Sequence, residues 1–259
     1  MSQQWNPNLY DQSHQFVSQY GEGILAYLQP KKGERILDIG CGTGDLTQQI
    51  AQQGIEVIGI DSSAEMIKRA EEKFPSISFY KMDAKHIAFK QSFDAIFSNA
   101  VFHWIREKEQ VIQQLHKVLK KGGRLVAEFG GKDNVGNLIA TMKTVLAERG
   151  HTIRDSFHPW YFPSIGEYTS LLEQYQFRVL HAEHFDRWTP LNGEMGMRKW
   201  FLMFGDYFFQ NISLAEQELI FEEVEERLRG EHYQDGVWYA DYKRIRVVAV
   251  KLGAESQIS

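Results

Sequence analysis

The stretch Ile36-Leu37-Asp38-Ile39-Gly40-Cys41-Gly42-Thr43-Gly44 constrains this chain more than any other. An apolar run ends in an acid, and a glycine-dense turn follows. Asp45 to Ala51 then shows helical periodicity, so the order is buried strand, tight loop, helix start. Glycine serves where φ is positive or where a ligand must approach the main chain closely. A helix start adds free N–H groups and a positive dipole end. The stretch is therefore built to hold a ligand against the backbone.

The rest of the first half repeats the strand–helix alternation. Strands are expected at 35–39, 55–60, 77–81, 93–98 and 124–129, with helices at 44–53, about 64–74, and 107–119. Gly54 reads as the glycine that ends the first of these helices, and Ser62 or Ser63 caps the next. Lys120-Lys121-Gly122-Gly123 reads as a turn. Crossovers of this length imply a doubly wound α/β fold with a mostly parallel sheet and helices on both faces. Ligands of such sheets bind at the carboxyl ends of the strands. The glycine loop, Asp61, Asp83 and Ser98-Asn99 each follow a strand end and are expected to converge on one crevice.

Beyond residue 130 the pattern changes. Helices are expected at 134–149, 166–175, 194–209 and 214–229, and strands at 177–188 and 237–251. The last two strands are joined by a long helical excursion rather than a hairpin, which reads as an inserted cap at 190–235. The chain has 259 residues, 43% hydrophobic and 24% charged, enough for a large core. A formal net charge of −5 argues against a global nucleic-acid-binding surface. Cys41 is the single cysteine, so no intramolecular disulfide forms, and a reducing, cytoplasmic setting is expected. No stretch of about 18 uninterrupted apolar residues occurs, so no membrane partner is expected.

The ligand of the loop follows from its chemistry. A dinucleotide loop reads G-x-G-x-x-G. Here the third glycine comes one position early, and Asp38 precedes the first. No Gly-Lys-Ser/Thr follows, so a P-loop is absent. An acid at the loop entrance repels a pyrophosphate but suits a cation. S-adenosylmethionine carries a sulfonium and no phosphate. Asp38 can stand near its methionine end, Asp61 can accept from both ribose hydroxyls, Asp83 can accept from the adenine amino group, and Ala84 leaves room for the ring. Plainer roles exist for each: Asp61 as a solvated acid at a helix start, Cys41 as a small filler of the loop.

Asp38-Ile39-Gly40-Cys41-Gly42-Thr43-Gly44 resembles the first motif of class I S-adenosylmethionine-dependent methyltransferases. Asp61, Met66, Asp83-Ala84 and Ser98-Asn99-Ala100 fall where that family's later motifs fall, and the resemblance covers roughly residues 20–130. It implies a seven-stranded sheet with the last strand antiparallel. It also implies a cofactor site made of Asp38, Gly40, Cys41, Gly42, Gly44, Asp61, Ser62, Met66, Asp83, Ala84, Asn99 and Ala100, with S-adenosylhomocysteine as product. Within the family, Ser98-Asn99-Ala100-Val101-Phe102-His103-Trp104 is similar to the trans-aconitate methyltransferase-like branch, which methylates carboxylates of small acids. The family often closes its site with an N-terminal helix. Tyr10, His14 and Phe16 are candidates for such a lid, or for a helix packed on the sheet edge.

The implied layout is a lid at 1–30, a cofactor-binding domain at 31–189 with 236–259, and the cap at 190–235. The expected activity is methyl transfer to a small molecule, to a carboxylate or hydroxyl oxygen. A cofactor-binding module without catalysis, or methylation of RNA or protein, are the rival readings. His103, just past the fourth strand, is the candidate general base, or a loop histidine that merely packs. Arg154, Arg187, Arg198 and Arg244 are candidate clamps for an acidic substrate. His181 and His184 are three apart on a strand, hence on opposite faces and ill placed as a metal pair.

Overall fold

The computed structural model describes residues 23–151 and 159–253. β1 (Arg35–Ile39) is buried at every position but its first. It pairs in parallel with β2 (Glu56–Asp61) on one side and with β4 (Phe93–Asn99) on the other. β3 (Ser78–Lys81) extends the sheet beyond β2, and β5 (Leu119–Gly130) beyond β4, both in parallel. The crossovers are α2 (Asp45–Ala51), α3 (Ala64–Lys73) and α4 (Lys108–Val118); residues 23–28 form α1. α6 (Ile165–Gln174) precedes β6 (Phe177–Leu191), and β8 (Val237–Lys251) closes the sequence of strands. The sheet order is β3-β2-β1-β4-β5-β8-β6, with the two-residue β7 (Tyr233–Gln234) pairing β8 off this path.

β8 runs against its neighbours. Leu252 N–H, just past its end, donates to the carbonyl of Gln176, just before β6 begins. Arg246 Nε lies 3.0 Å from Glu128 and Lys251 Nζ lies 2.8 Å from the Leu119 carbonyl, so β8 also descends as β5 rises. This is the antiparallel last strand that the resemblance implied.

The period of two along each central strand explains burial on both faces. Ile36, Val57, Ala95, Phe97 and Val126 share one face and pack with Ile24 and Leu28 of α1 and Ile50 of α2. Ile67, Ala70 and Phe79 form a second cluster between α3 and β3. Ser63, rather than Ser62, caps α3, its hydroxyl accepting from Met66 N–H.

Two expectations fail locally. Lys120–Gly123 is not a turn between helix and strand. It belongs to β5, which starts at Leu119 opposite Phe93, and the register shifts between Phe93 and Ala95. The extra residues form a bulge, held by Lys120 Nζ on both carboxylate oxygens of Asp94 at 2.8 Å. The expected helix at 194–209 also breaks. α7 (Gly196–Phe204) stops at Gly205, whose N–H bonds the Phe201 carbonyl, and Asp206–Phe209 continues as a tight 3₁₀ turn.

The chain divides into two compact units, one of residues 1–131, 163–184 and 245–259, the other of 132–162 and 185–244. In the second unit α5 (Gly136–Glu148) is tied to α8 (Leu214–His232) by Arg149, which donates to Glu216 at 2.8 Å and Glu223 at 3.4 Å just beyond the end of α5. Its aromatic residues form a core: Trp160, Trp200, Phe201, Phe208, Phe209 and Phe221 are buried. Among the described residues no helix is long and apolar enough to cross a membrane.

Candidate active site

The carboxyl ends of β1, β2, β3 and β4 lie side by side in the sheet order, and the loops that follow them carry the expected site residues. Gly40, Gly42 and Gly44 all have positive φ, at 70°, 55° and 88°. The loop is pinned by Gly40 and Cys41 N–H groups, which both donate to the Ile60 carbonyl at 2.7 and 3.0 Å. Gly40 has no alternative: a Cβ there would stand 2.1 Å from Val101 Cγ2. The Ser98 hydroxyl donates to the Ile39 carbonyl at 2.9 Å and so locks the end of β4 to the end of β1.

Two carboxylates flank this loop. Asp61 at the end of β2 accepts from Gly42 N–H at 3.1 Å through one oxygen and from Ser63 N–H at 2.8 Å through the other. Burial raises its carboxyl above the usual range, against the pull of those N–H groups. Asp38, inside β1, is buried and takes a 2.6 Å bond from the Thr47 hydroxyl of α2. Burial pushes Asp38 up to about 7; the Thr47 bond opposes the rise and the nearby Asp61 charge adds to it. Burial also pushes the Cys41 thiol well up, with Asp38 and Asp61 adding to it, so the thiol is held in its unreactive form.

Asp83 follows β3 and accepts from Lys85 N–H at 2.8 Å, with Ala84 buried beside it. Met66 is buried on α3, and Ser62 is exposed between Asp61 and the cap. Asn99 ends β4 and is buried, and Ala100 adopts a left-handed φ of 61°, unusual for a residue with a Cβ. Its N–H donates to the Glu128 carbonyl at 2.7 Å. Tyr10 and His14, with Phe16, lie outside the described residues.

His103 sits in the short turn Phe102–Trp104 after β4 and is buried. Gly130 N–H donates to its Nδ1 at 3.3 Å. That bond places the hydrogen of the neutral ring on Nε2, making this nitrogen a donor. Around it Phe102 packs on Phe129 at 5.8 Å and Phe129 on Tyr168 at 4.7 Å between centroids.

Sequence reasoning missed three contributors. Thr47 is a polar residue on the inward face of α2, a legible signal. Val101 over Gly40 and Gly130 against His103 are pairings between distant segments, which no local pattern reveals. Of the arginine candidates, Arg198 is already engaged by Glu225 at 2.8 Å and by Glu218, and Arg154 lies outside the described residues.

The site's donor set fits one kind of ligand. Two buried or half-buried acids beside a glycine loop would repel phosphate and attract a cation with hydroxyl groups. The fold, the loop and these acids define a class I S-adenosylmethionine-dependent methyltransferase. The chain belongs to the family described as "Methyltransferase domain", whose model matches residues 30–175, more than half its length.

It is 33% identical over 260 residues to a protein of Schizosaccharomyces pombe named as an uncharacterized methyltransferase, covering 95% of this chain and 98% of that one. Trans-aconitate 2-methyltransferase of Deinococcus radiodurans is 32% identical over 127 residues, 48% of each chain. A similar solved structure is phosphoethanolamine N-methyltransferase 2 of Haemonchus contortus with S-adenosylhomocysteine. It has a TM-score of 0.56 and 20% identity, over 91% of this chain and 53% of that one.

Proposed function

We propose that this methyltransferase acts on a carboxylate oxygen of a small acid. The observation that carries this reading is the bond from Gly130 N–H to His103 Nδ1. With Nε2 as a donor, His103 serves an acceptor oxygen that is already negative. A carboxylate is ionised near neutral pH and needs no base. An alcohol or phenol would need one, and the neutral ring in this setting offers its lone pair to Gly130 instead. The relative named for trans-aconitate, a small polycarboxylate, supports the same class over about half the chain.

S-adenosylmethionine supplies the electrophilic methyl group when bound. The loop of Gly40, Cys41, Gly42 and Gly44 lets the backbone lie against it. Asp61 accepts from the ribose hydroxyls, using the second lone pair that each oxygen keeps beside its N–H partner. Asp83 accepts from the adenine amino group, Ala84 and Met66 give the ring an apolar seat, and Ser62, Asn99 and Ala100 line the crevice. Asp38 balances the positive methionine end. The partner is a small molecule, not a nucleic acid, in keeping with the net charge of −5.

The test is incubation of the full chain with methyl-labelled S-adenosylmethionine and a panel of small di- and tricarboxylates beside alcohols, phenols, amines and bulk RNA. Base-labile methyl esters from the acids alone are expected. Label appearing in alcohols, amines or RNA while the acids stay blank would overturn the reading. Cofactor binding with no transfer to any member would favour a non-catalytic module.

A further inference from the structure

The second unit holds a recess of about 380 Å³ that the methyl-transfer reading does not use. Its walls include Asp133, Asp186, Trp188, Asp241, Tyr242 and Lys243. Lys243 Nζ is bound to both oxygens of Asp186, at 3.0 and 3.2 Å. Asp133 and Asp241 therefore face the recess with no lysine or arginine of its lining left to balance them, and the buried His232 imidazole acts on Asp241 from behind.

Asp241 is the informative group. It is only 8% exposed, and its Oδ1 receives no hydrogen bond. Its other oxygen accepts from Asn137 N–H at 2.8 Å, at the start of α5. A buried carboxylate oxygen left without a donor is costly, and it leaves negative charge uncompensated in the wall of the recess. Burial raises this carboxyl above its ordinary range, a cost that a neighbouring cation would remove.

Trp188 supplies the second half. The residue is 48% exposed, and His232, fully buried, backs its ring at 5.1 Å between centroids. An indole face held open beside carboxylates attracts organic ammonium groups. Tyr242 adds a polar wall, its hydroxyl accepting from Trp200 Nε1 at 2.7 Å. The volume is within the range of small-molecule sites.

The geometry points to a second ligand site here, for a small organic ammonium that is drawn by the carboxylates of Asp133 and Asp241 and packs on Trp188. The site is distinct in residues from the cofactor crevice and does not depend on its assignment.

Ligand-observed NMR on the full chain tests it, with benzylammonium as probe and benzyl alcohol as its uncharged match, with and without saturating S-adenosylhomocysteine. Benzylammonium is expected to bind at least about tenfold more tightly than the alcohol, whether or not the cofactor product is present. Trp188→Leu and Asp133→Asn alter exposed side chains, keep the fold, and are each expected to weaken it several-fold. Asp241→Asn should weaken it most, by about tenfold or more, and since it also touches α5 its folding is checked by circular dichroism. Equal binding of the alcohol, undiminished binding in Trp188→Leu and Asp133→Asn, or loss of binding under S-adenosylhomocysteine would each overturn the proposal.

Discussion

Thr47 Oγ1 donates a 2.6 Å hydrogen bond to Asp38 Oδ2, and both side chains are buried at the floor of the glycine loop. The loop thus stands on an acid that is half protonated near neutral pH, at about 7.

That gives cofactor binding a pH dependence of definite sign. Below about 7 Asp38 is mostly neutral in the empty protein, and a cation bound beside it favours the ionised form. Binding then releases a proton. Affinity for S-adenosylmethionine should rise by up to about tenfold per pH unit below that midpoint and level off above it. Calorimetry in buffers of different ionisation enthalpy measures the released proton. Asp38→Asn should remove the slope. Thr47→Val removes a bond that holds the carboxyl down, so it should move the midpoint to higher pH.

The same shift bears on stability without ligand. The folded protein keeps a proton that the unfolded chain gives up at the ordinary 3.8, so Asp38 costs stability as pH rises from there through about 7. Asp38→Asn should therefore lose less stability between pH 5 and pH 8, roughly, than the parent does, measured by urea unfolding.

Gly40 is expected to be intolerant of any side chain. Gly40→Ala adds a Cβ 2.1 Å from Val101 Cγ2 at a φ of 70°. The pairing of strain and clash should cost about 2–4 kcal/mol and abolish cofactor binding. Adding Val101→Ala removes the two closest contacts, leaving the residue-101 Cβ at 3.0 Å, and does not relieve the backbone strain. The double variant should regain part of the stability in denaturant unfolding and little of the binding.

This pair shows why the site was only partly legible. The strand–loop–helix of residues 35–51 declares itself because an apolar run, dense glycines and a helical period are all local signals. Asp61 and Asp83 follow from where strands end. What Gly40 packs against is decided by Val101, some sixty residues on. Which ring nitrogen of His103 is left to act as a donor is decided by Gly130, whereas its sequence position allowed a base or a histidine that merely packs. The strand at Lys120–Gly123 likewise depends on Asp94 across the sheet, whereas its Lys-Lys-Gly-Gly composition signals a turn.

The donor role proposed for His103 separates two variants. His103→Gln keeps an N–H group and should hold kcat within about tenfold of the parent, whereas His103→Phe should lower it by about 10²-fold or more. With cofactor saturating, kcat on a carboxylate should stay flat between about pH 6 and 8, since no base must lose a proton. A rising limb through that range, with His103→Gln as inactive as His103→Phe, would instead return His103 to the role of base.

Glu128 and Arg246 set the last prediction. Glu128 is fully buried, and Arg246 Nε and Nη2 bond its Oε2 at 3.0 and 2.7 Å, joining β5 to β8. Removing one partner leaves a buried charge, so Arg246→Leu should cost about 3–5 kcal/mol. Removing both avoids that charge, so Glu128→Leu with Arg246→Leu should cost less than either alone, a difference that urea unfolding reads directly. Glu128 stands opposite Asn99 in the register of β4 and β5, and its carbonyl accepts from Ala100 N–H. The single variant should therefore also weaken cofactor binding, since a disturbed β5 releases the left-handed turn at Ala100. The double variant should recover binding along with stability. Recovery of stability without binding would mean that the ion pair itself, rather than the strand it holds, shapes the crevice.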